Sequence, residues 1–219
     1  MSSLNDFSLK RQLAPILLNH IIEKMLECFN RMRQDCERKL EKLVNSETVI
    51  RDYFFLNYLN NDSVMQDIGF DDFRFFSEVP ENYINNTPTG RTDLQVFNIE
   101  QFRHREQYFT IECKRVDGNL TLNRAYIDQG MRRFLGKQPK YPSYYKMNGM
   151  MGFVIRNIDI NNNVNRINKL LRDNYTDLHV QDYLHAGTIP HTFLSSHGED
   201  PNEQITLIHA FSNCASLIY

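Results

Sequence analysis

The chain has 219 residues, 41% of them hydrophobic and 24% charged, with a formal net charge of −2 at pH 7. These are the values of a soluble globular protein with one ordinary domain and a real core, and the near-neutral balance gives no global sign of a nucleic-acid partner. No apolar run approaches the roughly 20 residues of a membrane helix, and Met1–Asp6 lacks the basic stretch and apolar core of a secretion signal.

The elements follow in chain order. Residues 8–43 carry apolar side chains at steps of three and four, among them Leu13, Ile16, Leu17, Ile21, Met25, Met32 and Leu40. This predicts a long helix, bent or divided near its start by Pro15. Such a helix packs along the core, or else serves as an arm for a second copy or a partner subunit. Asn45-Ser46 is a candidate cap for a second helix over 47–59, with Ile50, Phe54 and Tyr58 on one face. A short helical piece over 63–69, a strand over 73–79 and a loop over 80–88 come next. Strands are predicted at 94–99 and 107–114, joined by the polar stretch 100–106. A helix follows at 123–136, then a loop over 137–148. A strand at 152–156, a helix at 164–175, a loop-rich stretch over 176–203 and a strand at 205–211 complete the pattern, with an apolar tail after it. The four cysteines, Cys28, Cys36, Cys113 and Cys214, are scattered without a CxxC pair. They predict a reducing, cytoplasmic setting.

The chemistry concentrates in the strand pair at 94–99 and 107–114. An antiparallel pairing with its turn centred between Phe102 and Arg103 sets Asp93 opposite Glu112 and Leu94 opposite Ile111. Alternation then puts Asp93, Glu112 and Lys114 on one face, and Leu94, Val96, Phe109, Ile111 and Cys113 on the other. A slip of one residue would expose the apolar set of one strand, so the register is strongly specified. Facing carboxylates repel unless positive charge lies between them. Hard oxygen ligands suit Mg²⁺ or Mn²⁺, and Lys114 on the same face can reach a phosphate or an attacking water.

Asp93 followed by Glu112-Cys113-Lys114 resembles the PD-(D/E)XK nuclease superfamily, although Thr92 stands where the family pattern has proline. The order of predicted elements over 46–211 is also similar to the family core. The resemblance implies an α/β fold: a restriction-endonuclease-like mixed central sheet flanked by helices over 46–219, with an N-terminal helical region at 1–45. It implies a metal-dependent nuclease, an endonuclease acting on DNA ahead of RNA. Mg²⁺ or Mn²⁺ would be held by Asp93, Glu112 and the backbone carbonyl of Cys113. Glu47 would complete the metal site from the preceding helix, with Glu78 as its competitor. The metal would lower the pKa of the attacking water, and Lys114 would orient that water and stabilise charge on the phosphate. Gln129 resembles the polar residue that many members carry on the helix after the tripeptide.

Arg115, Arg124, Arg132, Arg133 and Lys137 lie close by in sequence and are candidate contacts to a nucleic-acid backbone. A role in restriction, anti-phage defence or repair is suggested by family habit alone. The alternative is a non-catalytic module that binds nucleic acid or protein within a larger complex. His179, His185, His191 and His197 recur every six residues, a spacing that suits neither a helix nor a strand and argues against a zinc site.

Overall fold

The structure is a computed structural model that describes residues 2–84, 87–99, 108–136 and 139–219, with backbone alone at 2–12, 82–84 and 89. Helix α1 (Ser2–Lys39) is followed by α2 (Glu47–Phe54), which continues as a π-helical turn to Leu59, and by the short α3 (Asp62–Asp67). Strands β1 (Phe73–Ile84), β2 (Thr87–Asn98) and β3 (Phe109–Val116) come next. Helix α4 (Leu120–Ala125) runs on through a π-helical turn at Tyr126–Gly130 and a 3₁₀ turn at Met131–Arg133. Then follow β4 (Met147–Val154), α5 (Ile160–Asn174), β5 (Val180–Ala186), β6 (Thr192–His197) and β7 (Ile205–Asn213).

The seven strands described form one mixed sheet in the order β1-β2-β3-β4-β7-β6-β5. The pairs β3–β4 and β4–β7 are parallel and the rest antiparallel. The segment carrying α4 connects parallel β3 to β4, and α5 lies between β4 and β7 in the chain, as parallel neighbours require a crossover. One apolar core gathers α1, α2 and the face of the sheet bearing Leu94, Val96, Phe109, Ile111 and Cys113. The other gathers Tyr126, Met131 and Phe134 with Ile167 and Leu171 of α5 against Met150 and Phe211. The central strands are thus covered on both faces, and β4 is buried along its whole length.

Several expectations change here. Helix α1 runs unbroken past Pro15, whose carbonyl accepts a bond from Asn19 Nδ2 (2.9 Å). Its buried line is Ala14, Leu18, Ile21, Met25, Cys28, Met32 and Cys36, the predicted stripe from Ile21 to Cys36 but a different line before it. Leu13, Ile16 and Leu40 face outward instead. The predicted loop at 80–88 belongs to the arms of the β1–β2 hairpin. Its prolines fit because β1 is an edge strand and β2 pairs with β3 only over Leu94, Gln95 and Val96, so neither proline removes a donor from a two-sided ladder. The stretch at 176–203 contains β5 and β6; β5 is a largely exposed edge strand and carries no alternating apolar signal.

A buried ionic cluster as the candidate site

The β2–β3 register is the one that the hydrophobic pattern specifies: Leu94 pairs with Ile111, Gln95 with Thr110 and Val96 with Phe109. Asp93 and Glu112 come next along the two strands. There the Asp93 carboxylate, rather than a backbone carbonyl, accepts the Cys113 N–H through Oδ2 (2.7 Å). The predicted connecting turn at 102–103 lies outside the described residues. Asp93, Glu112 and Lys114 are all buried, Glu112 to 1% exposure.

Helix α2 supplies the next members. Ser46 has the extended backbone of a cap but makes no side-chain cap bond. Glu47, the first helical residue, turns to the sheet: Oε1 accepts from Lys114 Nζ (2.8 Å) and Oε2 from the Arg115 N–H (3.2 Å). One turn later Arg51, buried although charged, donates from Nη1 to Asp93 Oδ1 (2.5 Å) and pairs with Glu78 through the same nitrogen. Its Nε and Nη2 both reach Asp52 Oδ1, at 3.0 and 2.8 Å. Glu78 holds φ +54°, a left-handed backbone that a non-glycine residue adopts at a cost of about 1–3 kcal/mol.

The segment after α4 closes the cluster. Arg133 Nε lies 2.9 Å from Glu112 Oε1 and donates to the Gln129 carbonyl (2.7 Å), while Nη1 donates to the Tyr141 hydroxyl (2.7 Å). Gly130 permits the approach, because a Cβ there would stand 2.6 Å from Met150 Cε and 3.2 Å from Lys114 Cγ. Gln129 itself is exposed and contributes its backbone carbonyl; the side chain of this segment that reaches Glu112 is Arg133.

The Lys114 ammonium sits where the oxygens converge. Glu47 Oε1, Glu112 Oε1 and the Cys113 carbonyl are each 2.8 Å from Nζ, and Asp93 Oδ2 is at 3.8 Å. Among the described residues no three carboxylates, imidazoles or thiols are arranged as a metal cage. Positive charge between Asp93 and Glu112 comes from Lys114, with Arg133 also on Glu112 and Arg51 on the far side of Asp93, where it is shared with Asp52 and Glu78. Burial opposes the Lys114 ammonium, but Glu112, Asp93 and Glu47 outweigh it and raise its pKa above the usual lysine value. Burial, reinforced by Asp93, pushes Glu112 up to about 8 against the pull of Lys114 and Arg133. Glu112 Oε2 is buried with no hydrogen-bond partner. The Cys113 thiol points away into the apolar core, and burial holds its pKa well above the ordinary thiol value.

The expected basic surface is only partly free. Arg115 Nη1 donates to the carbonyl and side chain of Asn45. Arg132 pairs with Asp128 and Asp177 and lies over the Tyr175 ring. Arg124 is exposed, and Lys137 lies outside the described residues. The six-residue histidine series does not form a site: His179 pairs with Glu199, His185 is exposed, and His197 is buried in a separate network. A cleft of about 1050 Å³ between α1 and the end of β7, lined by Phe29, Arg33, Ile189 and Asn213 among others, contains no member of the ionic cluster.

Arg51 is the member that sequence reasoning missed. The available signal was its place one helical turn after Glu47, which put both on one face of α2. Comparison of the chain with protein-family models, with curated proteins and with solved structures finds no match. The reading of the site therefore rests on its own geometry.

Proposed function

We propose that the protein is a metal-dependent nuclease of the PD-(D/E)XK kind, hydrolysing phosphodiester bonds, with DNA the first substrate to test. The observation that carries this reading is Glu112: a carboxylate at 1% exposure, in register beside Asp93, with one oxygen unpartnered and Lys114 at the other. Stability does not account for such a cluster, since buried ion pairs can often be replaced by apolar side chains at no loss. A strongly shifted acid among specific charged partners is the electrostatic mark of a functional site.

The donor set fits Mg²⁺ or Mn²⁺: it is hard oxygen throughout, from Glu47, Glu112, the Cys113 carbonyl and, at the edge, Asp93. When bound, the ion would polarise a phosphoryl oxygen and activate water. Since the Lys114 ammonium lies on these oxygens, they would hold an ion only with that ammonium moved off them. Lys114 would then be free to stabilise the negative charge growing on the scissile phosphate and to orient the attacking water. Arg133 remains on Glu112, and the Cys113 N–H holds the Asp93 carboxylate in place.

The test is cleavage of plasmid DNA, single-stranded DNA and RNA with Mg²⁺ or Mn²⁺. We expect metal-dependent cutting that Lys114→Ala reduces by about 10²-fold or more. No cutting of any substrate, or equal cutting by the variant, contradicts the proposal. A second reading, a non-catalytic binding module, is favoured by the same contacts, since the Lys114 ammonium meets these oxygens without a metal. Under that reading the protein binds no Mn²⁺ through Glu112.

A further inference from the structure

Arg51 and Lys114 bring positive charge to the same carboxylates in different ways. Arg51 is held on two edges: Nε and Nη2 on Asp52, and Nη1 between Asp93 Oδ1 and Glu78. Its side chain is 5% exposed, and a guanidinium does not give up its proton in a protein. Lys114 is a single ammonium on a flexible four-carbon stem, able to withdraw by rotating that stem.

The carboxylates divide accordingly. Glu78 stands across the β1–β2 pair from Asp93, since the neighbouring pairs are Ser77 with Leu94 and Val79 with Thr92. The buried guanidinium lies between these two acids, with Nη1 on both, and the Glu78 side chain is 45% exposed. Both Asp93 oxygens already have partners, Oδ1 on Arg51 and Oδ2 on the Cys113 N–H. On the other side Glu47, Glu112 and the Cys113 carbonyl converge on Lys114, and the buried Glu112 Oε2 has no partner.

We infer that Arg51 is a positioning residue that acts as a fixed cation between Glu78 and Asp93, and so limits the site to a single divalent ion, bound on the Glu47–Glu112–Cys113 side. This rests on the nuclease reading and specifies how many ions that site takes. Removing the guanidinium leaves Glu78 and Asp93 facing each other across open space, two hard carboxylates that a second ion would bridge.

The experiment counts Mn²⁺ bound per chain by electron paramagnetic resonance on the full-length protein, with circular dichroism to confirm folding. Wild type is expected to bind one ion, and Glu112→Gln none. Arg51→Met is expected to bind two, with spin coupling between neighbouring ions in its spectrum. Arg51→Lys keeps the charge and is expected to stay at one, while Arg51→Gln removes it by a second route and is expected to bind two, so the inference does not hang on the Met variant folding. Two ions on wild type, two on Arg51→Lys, or one on a folded Arg51→Met or Arg51→Gln overturns the inference while leaving the nuclease reading standing. No Mn²⁺ on wild type, or undiminished binding by Glu112→Gln, removes the Glu112 site itself.

Discussion

Two polar networks are buried on the α4 side of this sheet, and they are built on opposite principles. The first is the ionic cluster around Lys114. The second runs from the Tyr126 hydroxyl to His209 Nδ1 (2.9 Å), from His209 Nε2 to Ser195 Oγ (2.8 Å), from Ser195 Oγ to His197 Nε2 (2.8 Å), and from His197 Nδ1 to the Leu178 carbonyl (3.3 Å). Its proton order is fixed from one end. The Leu178 carbonyl only accepts, so His197 donates from Nδ1 and accepts at Nε2 from Ser195. Ser195 then accepts from His209 Nε2–H, and Tyr126 donates to His209 Nδ1. Burial pushes His197 down to about 4 and His209 down to about 3, so both rings are neutral near pH 7. A satisfied neutral chain of this kind rigidifies a core. The ionic cluster has an unpartnered carboxylate oxygen and a strained residue at its edge, features that lower stability rather than add to it.

The strongest way to break this contrast is to exchange the roles by mutation. His209→Leu orphans the Tyr126 hydroxyl, at about 1–3 kcal/mol, and removes the bond that Ser195 accepts while Ser195 still donates to His197. It is expected to lower stability in urea unfolding and to leave Mn²⁺ binding and cleavage intact in the folded fraction. Glu112→Gln is expected to do the reverse. Burial raises the Glu112 carboxyl towards its protonated form, which the amide resembles in shape and charge, so the variant is expected to stay folded while losing Mn²⁺ binding and cutting. If both substitutions act only on stability, the ionic cluster is structural like its neighbour.

A smaller effect separates the two networks by pH. The histidines have folded pKa values below the ordinary 6.5, so the stability they confer is present above pH 6.5 and is lost as pH falls through about 4 and 3. Glu112 has a folded value above the ordinary 4.5, so its contribution is present below pH 4.5 and is lost as pH rises through about 8. In metal-free protein the urea midpoint is expected to fall on both sides. His209→Leu should flatten the acid limb and Glu112→Gln the alkaline limb. Limbs that ignore these substitutions would detach the titrations from the networks.

The same contrast explains what was legible in the sequence. The pairing of Leu94 with Ile111 and Val96 with Phe109 was readable because alternation and the apolar faces specify register, and Asp93, Glu112 and Lys114 followed from it. Glu47 was singled out through the family resemblance, and the structure places its carboxylate on Lys114. Arg51 was missed although it follows Glu47 by one helical turn, because its partners Glu78 and Asp93 come from two other elements. Strands β5 and β6 were hidden for a related reason: much of what they pack is polar, and Ser195 and His197 find their partners only in the folded sheet. The line of α1 departs from the predicted one at its start, where Leu13 and Ile16 are exposed and Ala14 and Leu18 are buried instead.

The most direct measurement is anomalous diffraction from a crystal soaked in Mn²⁺. A peak among Glu47, Glu112 and the Cys113 carbonyl, with the Lys114 ammonium moved off those oxygens, is the predicted result. An undisturbed Lys114 with no peak at that position would contradict it and would make the cluster a self-neutralised part of the core.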